Sequence, residues 1–586
     1  MSPIVRLLSY IKKRPFFFFI SLICALIYII SMVLVPLING LMVDSIEKII
    51  QGNGEEAVNH FLLLIFIDVT LIVLVLIFEF AFEYIVNIFV ESINKEMRDD
   101  LFTKINHVSI KFIDSHSHGD LVSRCITDTD NVNNALISGF KQFYQGIIQI
   151  VATLIIMFIF NWILGLVVVF LTPVSFLISF VTTKKSKSSF RAQAKIQGDM
   201  SGIVLEDFNN IDLIKCFNFE DEAFNKYKSQ NDKLYVAGQK SQFISSLTNP
   251  LTRLINNFTY VFVGVIAAIL CAVSFNTGNY ILGANCTVGT ILTFIQYSNQ
   301  FAKPFNEISS CLTEVQTGYS SLKRINEILN TENDVDNGVL NIDNEIKTIS
   351  FNNVSFSYEP TQKLIEDFNL TIHEGQKVAI VGPTGCGKTT IINLILRFYD
   401  QNSGEIKYNS TNNLDIKKSS LRNTFGMVLQ DTWIFHGTVL ENIKYAKKDA
   451  TIEEVEKAAS RANALNFIKH LPKGFNTVIN DNSGLSVGEK QLICIARVML
   501  VEPKIMILDE ATSNIDTRAE MKISSAFNKM MENKTSFVIA HRLSTIKNSD
   551  LIIVMNKGHI IETGTHNDLL NKKGFYYELY NAQYSK

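Results

Sequence analysis

Charged side chains are scarce: Asp, Glu, Lys and Arg make up 19% of the 586 residues, less than the quarter or so usual for a soluble globular protein. A fully water-soluble chain is therefore not expected. Nor is there a surplus of either sign. The formal net charge is −2, which gives no reason to propose nucleic acid as a partner. Paired cysteines are missing as well. Cys24, Cys125, Cys216, Cys271, Cys286, Cys311, Cys386 and Cys494 are scattered without a C-x-x-C spacing, which speaks against a zinc site or a disulfide framework and leaves ordinary reduced thiols.

Apolar bulk takes the place of charge. Hydrophobic residues account for 47% of the chain, and the 42 phenylalanines crowd its N-terminal half. The length exceeds what one core organises, so two or more domains are expected. Six stretches, near 16–38, 61–84, 143–160, 162–183, 253–273 and 287–310, reach the roughly 20 apolar residues that a bilayer core requires. Lys12, Lys13 and Arg14 precede the first, as in a secretory signal, but the run continues past Val35 and no cleavage site follows; a retained membrane helix is expected. The fifth stretch begins with Arg253, and Asn299, Gln300 and Lys303 interrupt the sixth.

Segments 85–140 and 184–245 carry fifteen Lys and Arg, whereas the connections at 39–60, 161–162 and 273–286 carry only Lys48. Positive charge marks the cytoplasmic side. Both long segments and both termini are thus placed in the cytoplasm of a multi-pass membrane protein. Leu205, Phe208, Ile211, Leu213 and Phe217 recur at near-helical spacing. Membrane helices that continue into the cytoplasm and end in short transverse helices would explain them. The expected division is a transmembrane domain over 1–325, a linker over 326–342 containing Asn330, Asn333, Asp334 and Asn337, and a second domain over 343–586.

Beyond the linker, apolar runs end in polar punctuation: Val378–Val381 before Gly382, Ile505–Leu508 before Asp509, and Phe537–Ala540 before His541. Buried strands alternating with helices imply a mainly parallel sheet with ligands at the C-terminal strand ends. Gly382-Pro383-Thr384-Gly385-Cys386-Gly387-Lys388-Thr389, with Thr390 adjoining, fits G-x-x-x-x-G-K-[ST] at every fixed position. It stands between a strand and an apolar helix, as a phosphate-cradling loop must. Lys388 would reach the β- and γ-phosphates and Thr389 would ligate Mg²⁺. Asp509 closes a strand at the same edge and suits Mg²⁺. Glu510 follows it as a candidate general base for the attacking water.

These residues, together with Leu485-Ser486-Val487-Gly488-Glu489, resemble the ABC transporters of exporter type. The resemblance implies a multidomain fold: an all-α six-helix transmembrane domain plus an α/β P-loop nucleotide-binding domain. It further implies that Gln430 is the Q-loop residue, acting in catalysis and at Mg²⁺, and that His541 is the switch histidine. Asp516 falls in the D-loop, Tyr358 stacks on adenine, and Ser486 and Gly488 face the nucleotide of a second subunit. ATP and Mg²⁺ are the implied cofactors. Implied partners are a second half-transporter subunit, the bilayer and a small amphipathic substrate. Segments around 507–517 and 574–579 resemble the catalytically intact half of heterodimeric exporters, so a partner with a degenerate site is expected, with a homodimer as the alternative. Val487 and Glu489 depart from the family's LSGGQ, and the stretch 477–484 departs from the pattern usual before that motif.

Asp68, Glu79 and Glu83 form one acidic stripe along the second membrane helix. They either line a cavity for cationic amphipaths or pair between helices, since lipid exposure of a carboxylate costs about 2.5–3.5 kcal/mol. Cys386 reads as a small loop filler, His436, His470 and His566 as surface or packing residues, and Trp162 as an interfacial anchor. An ATP-gated channel and a non-transporting sensor ATPase are the rival functions. A peptide exporter with its own leader protease is not expected, because about 15 residues precede the first span.

Overall fold

The computed structural model describes residues 1–51, 54–277, 287–342, 345–429, 432–480, 484–509, 517–539 and 546–584. These form two compact units, Met1–His107 with His116–Thr331, and Val108–Ser115 with Glu332–Lys586.

The described residues of the first unit are built from helices: α1 (Pro3–Lys12), α2 (Pro15–Ile50), α3 (Gly54–His107) and, beyond the short α4 (Ile110–Asp114) of the second unit, α5 (His118–Cys125) and α6 (Thr127–Ser138). A π-helical turn at Gly139–Tyr144 leads into α7 (Gln145–Phe160), α8 (Trp162–Asn209), α9 (Ile211–Cys216), α10 (Glu220–Ser246), α11 (Thr248–Thr277) and α12 (Val288–Asn330). The six expected spans fall on α2, α3, α7, α8, α11 and α12. Among the described residues, four helical stretches are long and apolar enough to cross a membrane, Pro15–Ile50, Glu55–Ile105, His118–Phe160 and Arg253–Leu270, and Trp162–Thr172 is a shorter apolar helix. Phe66, Phe80 and Phe170 are about three-quarters exposed, a cost in water that lipid contact removes.

Three polar residues of the sixth span, Thr293, Tyr297 and Gln300, meet a neighbouring helix. Pro36 sits inside α2 and has no N–H, which deprives the Met32 carbonyl of its helical donor. Gln300 Nε2 of α12 donates to that carbonyl at 3.0 Å. Tyr297 Oη donates to Val33 O at 2.9 Å and Thr293 Oγ1 to Pro36 O at 3.1 Å. At the far end, Asp44 accepts from Gly289 N and from Thr287 Oγ1, both at 2.8 Å. The helices approach so closely that a Cβ on Gly289 would lie 2.1 Å from the Gly40 carbonyl oxygen.

The segment expected as a linker from residue 326 is helical through Asn330. Leu322, Ile325 and Ile328 bury one face of this last stretch, and Asn326 and Asn330 each donate to the Met1 carbonyl. Their amides read as loop composition but are helix-surface partners. Nearby, Asp120 binds Arg124 and Arg324, Arg324 also binds Asp128, and Ser321 donates to Asp128 at 2.7 Å. These bonds tie α5 and α6 to α12.

The second unit holds two larger sheets. One has the order β2 (Ile365–His373), β1 (Thr348–Phe356), β4 (Ser403–Tyr408), β5 (Thr411–Asn412). The strands of this sheet pair antiparallel. A small pair joins β7 (Gly437–Thr438) to β8 (Val478–Ile479). The six-stranded sheet runs β12 (His559–Gly564), β11 (Leu551–Asn556), β3 (Lys377–Val381), β10 (Thr535–Ile539), β9 (Ile505–Asp509), β6 (Phe425–Val428). Every pairing in it is parallel except β11 with β12. Its central strands are near-continuous apolar runs, as burial on both faces demands, and β10 is buried throughout. In register, Ile380 of β3 lies opposite Ile539 of β10, and Ile539 opposite Asp509 of β9. The ends of β3 and β9 therefore share one edge.

Candidate nucleotide-binding site

The loop after β3 is built by what glycine permits. Gly387 has φ 104°, and a Cβ there would meet Ile365 Cδ1 at 2.6 Å; at Gly382 it would meet the Met555 carbonyl oxygen at 2.2 Å. Any other residue would push the loop off β2 and β11. Gly387 then caps α13 (Lys388–Ile395) without a side chain. The first helical bond there is Ile391 N to Gly387 O, so the amides ahead of it lack intrahelical partners and face an anion site.

Lys388 is buried, and its ammonium donates to the carbonyls of Gly382 at 2.8 Å and Pro383 at 3.0 Å. A full positive charge is thereby fixed inside the loop, close to where phosphate oxygens would be cradled. Thr384, Gly385 and Thr389 are exposed, whereas Thr390 is buried. Cys386 is buried and its carbonyl accepts from Gly558 N at 3.2 Å. Burial pushes its thiol up, against the pull of Lys388, so it stays a protonated filler rather than a reactive thiolate.

Tyr358 follows β1 and is half exposed. Its hydroxyl bonds Thr390 Oγ1 at 3.3 Å and accepts from Asn393 Nδ2 at 3.1 Å, which anchors the ring to the helix that opens the phosphate loop. Asp509 ends β9 at the same sheet edge. The Thr389 hydroxyl and the Asp509 carboxylate are hard oxygen donors, the set that fits Mg²⁺.

Ser486 is the N-cap of the helix Val487–Val501. Its side chain accepts from Glu489 N, while Glu489 Oε2 accepts from Ser486 N at 2.9 Å and from Ser486 Oγ at 3.0 Å. This reciprocal capping box is one that glutamate closes as well as the family's glutamine would. Gly488 is buried within the first turn. Gln430, Glu510, Asp516 and His541 lie outside the described residues.

The acidic stripe separates into three environments. Glu83 pairs with Lys141 at 3.2 Å. Glu79 accepts from Tyr28 Oη at 3.5 Å, and Tyr28 in turn accepts from Gln145 at 3.1 Å. Asp68 Oδ1 is buried without a hydrogen-bond partner among the described residues. Interhelical pairing thus accounts for Glu83 and partly for Glu79, and not for Asp68. Sequence reasoning missed Asn393 and Tyr399, which hold Tyr358 from two sides. No local motif marks either one.

Comparison with known proteins sets this geometry in a family. Residues 18–305 match the ABC transporter transmembrane region, and residues 365–513 match the ABC transporter nucleotide-binding model. A putative multidrug export ATP-binding/permease protein of Staphylococcus aureus is 32% identical, over 99% of this chain and 100% of that one. A fatty acid ABC transporter ATP-binding/permease protein of Mycobacterium bovis is 36% identical, over 85% of this chain and 78% of its own length. An ATP-dependent lipid A-core flippase of Desulfotalea psychrophila is 34% identical, over 84% and 85%. In fold, the chain superposes on a bacterial Atm1-family ABC exporter with ATP bound, with a TM-score of 0.78 over 97% of this chain and 98% of that one, at 24% identity.

Proposed function

The chain belongs to the ABC transporter family, with transmembrane region and ATPase fused in one polypeptide, and on that premise we propose that it is half of an exporter that drives an amphipathic substrate across the plasma membrane by alternating access. The observation that carries the reading is the phosphate loop after β3, where buried Lys388 holds its charge among the loop's own carbonyls.

Two such subunits close face to face. The amides of residues 384–390 and Lys388 hold the phosphates of one ATP, Tyr358 stacks on its base, and Ser486 and Gly488 of the opposing subunit complete the seam with Asp516. Glu510 orients and deprotonates the attacking water, assisted by His541 and Gln430. Thr389, Asp509 and Gln430 would hold Mg²⁺, which would supply positive charge beside the phosphates. Closure does work because ATP binds the closed pair better than the open one. Residues 1–325 form the transport half, with both termini and the engine from residue 343 in the cytoplasm.

Relatives are named for multidrug export, a fatty acid and lipid A-core, and an amphipathic cargo is proposed here. The orphaned Asp68 carboxylate favours cargo with a cationic head. A partner with a degenerate site is the preferred assembly, with a homodimer as the second. The test is ATPase activity in lipid nanodiscs, alone and with candidate partners, against a panel of cationic, neutral and anionic amphipaths. Stimulation by cationic members that is lost in Asp68→Asn supports the reading. Equal response to all three classes removes the charge preference, and absent hydrolysis in every pairing removes the reading itself.

A further inference from the structure

Tyr399 belongs to no motif, yet it is held on two sides. Its hydroxyl donates to the Asp114 carboxylate at 2.5 Å, across 285 residues of sequence. Its ring stands edge-on to Tyr358, with centroids 4.9 Å apart and planes at 88°, and to Phe356 at 5.7 Å and 67°. Tyr358 is edge-on to Phe356 in turn, at 5.0 Å and 85°. The three rings close a triangle in which each edge meets a neighbour's face, the arrangement that ring quadrupoles prefer. Tyr399 and Phe356 thus both pack against the Tyr358 ring.

Asp114 ends α4, and residues 108–115 pack as part of the nucleotide-binding unit. Val108 bridges to Asn333, and Ile110 packs on the core cluster that contains Phe356 and Tyr399. Tyr399 itself is buried, and burial with the Asp114 carboxylate raises its hydroxyl pKa far above the ordinary phenol value. The hydroxyl therefore stays protonated and able to donate to Asp114.

We propose that Asp114 and Tyr399 are positioning residues for the nucleotide base: their hydrogen bond sets the angle of the Tyr358 ring, and through it the affinity for ATP. The inference rests on the reading of Tyr358 as the adenine-stacking residue. The coupling runs both ways. If the placement of Asp114 changes ATP affinity, ATP binding pulls on the segment 108–115 by the same free energy. That segment is continuous in sequence with α3 and α5 of the transmembrane domain.

The test uses the full chain with its partner and compares Tyr399→Phe, which keeps the ring and loses the donor, with Asp114→Ala and Asp114→Asn. Inorganic tripolyphosphate, which has no base to stack, serves as competitor. The expected result is a KM for ATP raised about three- to tenfold in Tyr399→Phe and Asp114→Ala, the range of one aromatic contact. The kcat at saturating ATP and the tripolyphosphate Ki stay within twofold of wild type, and Asp114→Asn, which keeps an acceptor, falls between. In a Tyr358→Ala background neither substitution adds a further loss. Unchanged ATP affinity in Tyr399→Phe and Asp114→Ala overturns the proposal, as does a tripolyphosphate Ki that worsens in step with the ATP KM. Tyr358→Ala with wild-type ATP affinity would overturn the stacking reading beneath it instead.

Discussion

Glu489 sits three residues beyond Ser486 and accepts two hydrogen bonds from it, closing a capping box that the family's glutamine would close as well. Glu489→Ala removes both and is expected to destabilise the nucleotide-binding unit by about 1 kcal/mol, the net worth of a lost hydrogen bond. Glu489→Gln keeps the box and should melt within a degree or two of wild type, as thermal unfolding of the two variants will show. Glu510→Gln should abolish turnover and leave ATP binding intact, measured by phosphate release beside nucleotide affinity; substantial residual hydrolysis would remove Glu510 as the base. The phosphate loop was legible because its eight residues are consecutive and flanked by a strand and a helix. Tyr399 was not, because its meaning lies in a bond to Asp114 made only when distant chain segments meet.

Elements were readable in proportion to how local their cause was. Apolar runs announced α2, α3 and β9, and S/T-x-x-E/D spacing marks the helix starts at Thr438, Thr451, Ser486 and Thr565. Gln300, one of the polar residues that interrupt the sixth span, has its partner on α2. Gln300→Leu leaves the Met32 carbonyl without its donor and should cost about 0.6–2 kcal/mol, the range for hydrogen bonds between membrane helices. Lower melting in detergent or nanodiscs checks this. Acidification should loosen the capping boxes in a defined direction. The Thr438 amide and hydroxyl hold Glu441 below the usual carboxylate range, Lys447 and the Thr451 amide do so for Glu454, and the Thr565 hydroxyl and amide for Asp568. A depressed carboxylate pKa contributes stability above the unfolded value, about 4, and that contribution is lost as pH falls through the folded one. The melting temperature should therefore drop below about pH 4.5, and less steeply in a Thr438→Ala, Thr451→Ala, Thr565→Ala triple variant.

At the scale of the whole molecule, the sequence announced a membrane half and an ATP-driven half because the solvent of each is written into its composition. Residues 326–330, expected as the start of a linker, are helical, and Asn330, which reads as loop, is a helix-surface donor to Met1. Cargo remains a proposal for a physical reason: amphipaths are held by generic apolar surface, and no spacing rule encodes that. The most direct test of the central claim is transport in sealed vesicles with the nucleotide-binding unit outside, using a short-chain fluorescent lipid and a cationic amphipath. The account predicts ATP-dependent movement of at least one of them by wild type, with its partner where one is needed, and none by Glu510→Gln. Equal movement in both, or none by wild type while it hydrolyses ATP, would contradict it.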